Sequence, residues 1–182
     1  MKVTGIVGSP RIGGNTSRLV EKVLQGAASN GSETELLILN SMQISPCQAC
    51  NHCKPSGQCI LSDDMQIVYS AMESSSAIVV GTPIYMGQMS AQTKIFMDRL
   101  YAYYVSSKAS GKPVVLAFTQ GAESLDVYSD YIEYTGKIFT YLGYDLREII
   151  SATNTGAPGD ILRQPDVLQR AFDCGASLVS EF

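Results

Sequence analysis

The sequence predicts an α/β domain built on a parallel β-sheet, and three observations carry that expectation. Five short apolar runs alternate with five helix-periodic stretches along the whole chain, the pattern of strands joined by crossover helices. The third run, Ser76 to Gly81, is almost wholly apolar, as expected for a strand covered on both faces of a parallel sheet. Between the first run and the first helical stretch lies a turn of glycines and hydroxyls, GSPRIGGNTS, Gly8 to Ser17. A strand, a glycine-rich loop and a helix start together build an anion-binding turn.

Val3–Val7 reads as a short buried strand. From Thr16 to Ala28, Leu19, Val20, Val23, Leu24 and Ala27 share one face at helical spacing, and Asn30-Gly31 ends the helix. Thr34–Leu39 is the second strand. Ser41 to Ser62 shows no clear periodicity and holds four cysteines; loops this long are usually functional or tied down. Ser62 followed by Asp63 and Asp64 reads as a helix cap with first-turn acids, opening a helix to about Glu73. After the third strand, Thr82–Gln88 reads as loop and Ser90–Val105 as one long helix. Lys112-Pro113 begins a fourth strand through Phe118, and Thr119–Ser124 is loop. A Tyr-rich helix spans Asp126–Leu142, and Tyr144–Ser151 is the fifth strand. Ala152–Gly159 is a loop rich in Gly, Thr and Asn. Pro165 sits near the start of a last helix expected to end at Phe182. No repeat or linker appears, so residues 1–182 are expected to form one domain. In such sheets ligands lie at the carboxyl ends of the strands, where Gly8–Asn15, Thr82–Gln88, Thr119–Ser124 and the cysteine loop would meet.

Composition narrows the function classes. The chain has 182 residues and a formal net charge of −4, which argues against a nucleic-acid surface. No apolar run approaches the length of a membrane span. The opening MKVTGIVG lacks a secretory cleavage pattern, so a cytoplasmic location is expected, where thiols stay reduced. The five cysteines are therefore not read as a disulfide framework.

The first loop reads as a phosphate cradle. The N–H groups of Thr16 and Ser17 have no intrahelical partner, Ser9, Asn15, Thr16 and Ser17 offer neutral donors, and Arg11 a fixed charged fork. Asn15 follows Gly14 where a triphosphate loop would place Lys. The second strand ends at Asn40, without the acid that a dinucleotide ribose takes about 20 residues on. Hydroxyls and backbone N–H groups without Lys suit a mononucleotide phosphate, and FMN is the leading candidate. In TPIYMGQMSAQTKIFMDRL, Thr82 to Leu100, Pro83 and Gly87 shape a turn while Tyr85 offers an aromatic wall for a planar ring. Lys94, Asp98 and Arg99 follow at helical spacing and read as a solvated or subunit-facing ionic cluster.

GSPRIGGNTS together with PIYMGQMSAQTKIFMDR resembles the NADPH-dependent FMN reductase-like branch of the flavodoxin-like proteins, over nearly the whole chain. The resemblance implies a flavodoxin-like fold with strand order 2-1-3-4-5. It implies FMN with its phosphate on Ser9, Arg11, Asn15, Thr16 and Ser17. It implies the ring against Pro83, Ile84, Tyr85, Met86 and Gly87 and near Gln120 and Gly121.

The cysteines run Cys47-x2-Cys50-x2-Cys53-x5-Cys59. Four thiolates in one loop can close on a compact iron–sulfur cluster, and Gly57 gives room to bring Cys59 back. Zinc is chemically possible on four thiolates, although its ligand pairs usually stand farther apart. This loop resembles that of the iron–sulfur flavoproteins, a subgroup of the same family, in position, in spacing and in the trailing DDM. By that resemblance Cys47, Cys50, Cys53 and Cys59 would hold a 4Fe–4S cluster, although relatives with such a loop and no cluster exist. His52, the single His, reads as a surface loop residue, Cys174 as a small core residue, and most of the tyrosines after the third strand as core or interface residues. The resemblance further implies a homodimer or homotetramer. Its function would be electron transfer from a ferredoxin-type protein or NAD(P)H, through FMN and the cluster, to a small-molecule acceptor. Two alternatives stand beside it: an NAD(P)H-dependent FMN or quinone reductase without a cluster, and a flavodoxin-like carrier without turnover of its own.

Overall fold

The computed structural model describes residues 1–178, and the expected end of the last helix at Phe182 lies outside the described residues. Five parallel strands make the sheet: β1 (Lys2–Val7), β2 (Glu33–Ile38), β3 (Ala77–Tyr85), β5 (Pro113–Thr119) and β6 (Asp145–Ala152). Their order is β2-β1-β3-β5-β6, the expected 2-1-3-4-5 path. A further two-residue strand, β4 (Gln88–Met89), pairs antiparallel with the end of β3. The central strands are apolar because both faces are covered: every residue of β5 is buried, and every residue of β3 before Tyr85.

The helices are α1 (Asn15–Ser29), α2 (Cys53–Ser56), α3 (Met65–Ser74), α4 (Ala91–Arg99), α5 (Tyr101–Val105), α6 (Ser129–Tyr141) and α7 (Pro165–Ser177). Alternate strand residues point to opposite faces, so the core divides in two. Val3, Val7, Val79 and Val115 pack with Leu19, Val23 and Cys174 of α1 and α7. Ile6, Ile78, Val80 and Phe118 pack with Val68, Met72, Phe96 and Phe139 of α3, α4 and α6. Cys174 is thus a core thiol, pushed up to about 12 by burial and by the Glu148 carboxylate beside it.

Four differences from the sequence reading bear on the site. The Thr82–Gln88 loop is shorter than expected, because β3 continues to Tyr85 and turns directly into β4. The long Ser90–Val105 helix breaks at Leu100 into α4 and α5. The cysteine loop is not wholly irregular, since α2 forms one turn within it. Ser62 is not the cap of α3: the helix begins at Met65, whose N–H donates to the Asp63 carboxylate at 3.1 Å.

Candidate functional site

At the carboxyl ends of β1, β3, β5 and β6 a cleft of about 220 Å³ is lined by Ser9, Arg11, Asn15, Thr16, Pro83, Ile84, Tyr85, Thr119, Gln120, Gly121, Thr155 and Gly156. It therefore gathers nine of the twelve expected cofactor residues. Ser17, Met86 and Gly87 do not line it. Thr119 opens the Thr119–Ser124 loop expected at this end, whereas Thr155 and Gly156 come from the 152–159 loop, which the sequence reading does not place at the site.

The cleft floor is an open helix N-terminus. Gly14 caps α1 without a side chain, and no acid lies in its first turn, so no first-turn carboxylate offsets the helix dipole there. Ser9, Thr16 and Ser17 are buried, and the Ser17 hydroxyl has no hydrogen-bond partner. Asn15 acts differently from its expected part. Its Nδ2 donates to the carbonyls of Thr155 at 3.0 Å and Ala157 at 2.8 Å, while its Oδ1 accepts from the N–H of Gly159 at 2.9 Å and Ile161 at 3.2 Å. That amide is fully occupied, so Asn15 clamps the β6–α7 loop onto the first loop. Arg11 spans the same gap, donating to the Gly156 carbonyl at 2.8 Å, and the Thr16 hydroxyl pairs with that of Thr119 at 2.7 Å.

A buried hydroxyl network fixes the other wall. The Ser90 hydroxyl donates to the Gly8 carbonyl at 2.6 Å and accepts from the Thr93 N–H at 3.2 Å, capping α4. Thr93 donates to the Thr82 hydroxyl at 2.8 Å. A Cβ at Gly8 would stand 1.8 Å from Thr93 Oγ1, so Gly8 is needed for this contact with α4. Ser90 and Thr93 were also missed, and the signal was their S-x-x-T spacing at the start of a helix. The cleft's upper edge is the β3–β4 hairpin, in which Tyr85 pairs with Gln88. Met86 and Gly87 take φ of 49° and 81°, the left-handed pair of a tight two-residue turn. The Tyr131 hydroxyl anchors it, accepting from the Met89 N–H at 2.9 Å. On the inner wall Gln120 is buried; its Nε2 donates to the Ser124 carbonyl at 3.0 Å and its Oε1 is left without a partner. An open helix end and, among the cleft's lining, a partnerless Gln120 amide oxygen together with Tyr85 fit a ligand with a phosphate at one end and a planar polar ring at the other.

Beyond α4 lies the cysteine loop. Cys47, Cys50, Cys53 and Cys59 line one concavity of about 420 Å³ with Ile60, Leu61, Asp98 and Tyr101. Cys47 and Cys50 are exposed, Cys53 and Cys59 half-buried, and all four are free thiols. Among the described residues no three His, Cys, Asp or Glu side chains stand close enough together to hold a metal ion. Ala49 and Asn51 take φ of 52° and 59°, a conformation that costs an alanine about 1–2 kcal/mol and that asparagine tolerates better. Burial raises the Cys53 thiol above its ordinary value. The loop's base is pinned by Arg99, which is 1% exposed and not the solvated residue its spacing suggested. Its guanidinium grips Asp63 with two bonds of 2.7 and 3.0 Å and donates to the Ser45 carbonyl at 2.8 Å. Only the expected Lys94–Asp98 pair of that group is solvated, at 2.6 Å.

A family profile described as NADPH-dependent FMN reductase matches residues 1–129. The chain belongs to this family. That membership makes it an FMN-dependent oxidoreductase, and it places the match over the first loop, the hairpin and the cysteine loop. An iron–sulfur flavoprotein of Methanocaldococcus jannaschii is 37% identical over 131 residues, 70% of this chain and 68% of that one. An iron–sulfur flavoprotein of Archaeoglobus fulgidus is 32% identical over 136 residues, 72% of this chain and 62% of that one. The matched stretch is thus about two thirds of those relatives' length. Among solved structures, one described as a Trp repressor binding protein from Bacillus subtilis superposes with a TM-score of 0.72 at 22% identity, covering 99% of both chains. The fold is therefore the flavodoxin-like one of this family. No helix among the described residues is long and apolar enough to cross a membrane.

Proposed function

We propose that this FMN reductase-family protein transfers electrons between a reduced donor and a small-molecule acceptor through FMN and a 4Fe–4S cluster. The observation that carries the cluster is that Cys47, Cys50, Cys53 and Cys59 line a single concavity. Four thiols suit a cluster whose irons each take one thiolate. The surrounding backbone supports it: among the described residues no backbone carbonyl accepts from the N–H groups of Cys47 through His52, and the left-handed residues Ala49 and Asn51 give the alternating backbone that cups an anionic group. The relatives named iron–sulfur flavoproteins point the same way.

Ser9, Arg11, Thr16 and Ser17 would hold the FMN phosphate, with the α1 dipole favouring its charge. Asn15 would act by holding the Thr155–Gly156 wall rather than by donating. Pro83, Ile84, Tyr85, Gln120 and Gly121 would bound the ring, with Met86 and Gly87 at its outer edge. FMN supplies two-electron chemistry and the cluster one-electron chemistry; the protein's task is to hold both and limit water. A ferredoxin-type protein or NAD(P)H is the proposed donor, a homodimer or homotetramer the proposed assembly, and the cytoplasm the proposed location.

The test is purification without oxygen, a visible spectrum, and assays for iron and acid-labile sulfide. The expected result is flavin bands over a broad brown shoulder, with about four irons and four sulfides per chain. A clean flavin spectrum, with no iron or sulfide even after anaerobic reconstitution, would overturn the cluster. A second reading, a cluster-free NAD(P)H-dependent FMN reductase, is favoured by the spread of the four cysteines, which are not drawn in to metal-holding distance. Rapid NAD(P)H oxidation by iron-free protein would establish it.

A further inference from the structure

The cysteine loop carries a charge problem that one residue is placed to solve. Four ionised thiolates around one concavity repel one another, and each additional negative charge weakens the set. Among the described residues no Lys lines that concavity, and the one Asp, Glu, Lys or Arg in its lining is the acidic Asp98. The positive group lies beneath. Arg99 is buried at the α4–α5 break, with its Nε lacking any partner. The Tyr69 hydroxyl donates to the Arg99 carbonyl at 2.6 Å, and Tyr69 shares a cavity wall with Cys59. The guanidinium itself donates to the Ser45 carbonyl at 2.8 Å, two residues before Cys47.

We propose that Arg99 is the charge-compensating residue of the cysteine loop: its buried guanidinium offsets part of the negative charge that the four thiolates bring together. The proposal rests on the reading that Cys47, Cys50, Cys53 and Cys59 act as one ligand set. A buried ion pair is a costly way to anchor a loop, since apolar packing often does as well. The pair also leaves Nε, one of the five donors of a guanidinium, without a partner. Asp63 is itself tied into the loop's base, accepting from the Ser45 N–H at 2.9 Å.

The probe is Co(II) added under argon to cluster-free protein, with thiolate-to-cobalt charge-transfer absorption as the readout and FMN affinity as the check on folding. Arg99→Met should weaken cobalt binding by ~10-fold or more, the size of loss typical when a supporting partner of a metal site is removed. Arg99→Lys keeps the charge without the fork and should recover most of that affinity. Asp63→Asn keeps the guanidinium and removes the carboxylate that partly neutralises it, so this variant should bind cobalt at least as tightly as wild type. A merely structural anchor predicts the opposite for both: the lysine and asparagine variants would bind as weakly as the methionine one, and that result overturns the proposal. Full affinity in Arg99→Met, or no charge-transfer band in wild type, overturns it too. If Arg99→Met does not fold, the other two variants decide, because loss of affinity in either rejects charge compensation. The cluster reading fails separately: protein that binds cobalt through its thiolates but refuses iron and sulfide loses the cluster and keeps the role of Arg99.

Discussion

Asp63 shows how a single side chain ties acidity to stability. Burial alone would raise its carboxyl. Arg99 and the N–H groups of Ser45 and Met65 outweigh that and hold it below its ordinary value of 3.8. A depressed carboxyl contributes stability that is complete above the unfolded value and is lost as pH falls through the folded one. Asp63→Asn removes that contribution and leaves the buried guanidinium unpaired, at a cost of about 3 kcal/mol near neutral pH. Denaturant unfolding from pH 7 down to pH values below 3.8 should therefore show a gap between wild type and Asp63→Asn that is constant at first and narrows in acid. A gap that does not change across that range would mean that Asp63 is not the ionised partner. The pairing was not legible in the sequence. Arg99 sits at a spacing that matches Lys94 and Asp98 on one exposed helix face, and its true partner lies 36 positions upstream. Asn15 misled for the same reason: its type and place suit a phosphate donor, while its carbonyl acceptors lie 140 and 142 residues away. Local pattern reports the helix start, and only tertiary structure reports where the side chain is spent.

Among the elements, the β3–β4 hairpin stores strain at an exposed position. Met86 is fully exposed, at 102% relative exposure, so it contributes no packing, and it takes a φ of 49°. An L-residue pays about 1–2 kcal/mol there, and Asn at the first position of such a turn pays much less. Met86→Asn should stabilise the FMN-free protein by up to about 1 kcal/mol, a rise in Tm of about 2–4 °C for a chain of this size. If Tm is unchanged or falls, the turn is not strained as its dihedral implies. Should FMN affinity fall while Tm rises, Met86 would be holding its strained place for the ring. The strand ends and hairpin were the least legible elements. Thr82 to Tyr85 contains Pro83, which reads as a loop signal, yet its ring is accepted in β3 because the strand is closing into a short hairpin. The break at Leu100 was hidden because the apolar period runs on from α4 into α5. In contrast, the glycine and hydroxyl loop was plain, since its chemistry is local and contiguous.

Across the whole molecule the site depends on how the two ends of the chain meet. The family match stops at residue 129, yet Thr155 and Gly156 wall the cleft, and α7 holds α1 in place from behind. That helix crossing is close enough to need glycine on both sides. A Cβ at Gly26 would stand 1.9 Å from the Phe172 carbonyl oxygen, and one at Gly175 would stand 1.8 Å from that of Val23. Both obstacles are backbone, so neither can swing away as a side chain would. Gly175→Ala must therefore push α7 from α1, at a cost of about 1–3 kcal/mol for an overpacked contact and a fall in Tm of roughly 2–12 °C. The same shift moves the N-terminal turn of α1, where Thr16 lines the cleft, and loosens the Asn15 clamp on the 155–161 loop. FMN affinity should consequently drop along with Tm, although residue 175 touches no part of the cleft. Fluorescence titration of FMN beside a thermal melt separates the outcomes. Loss of Tm with unchanged affinity would show the two ends to be energetically independent. An unchanged Tm would mean that the crossing yields more easily than backbone contacts of this length allow.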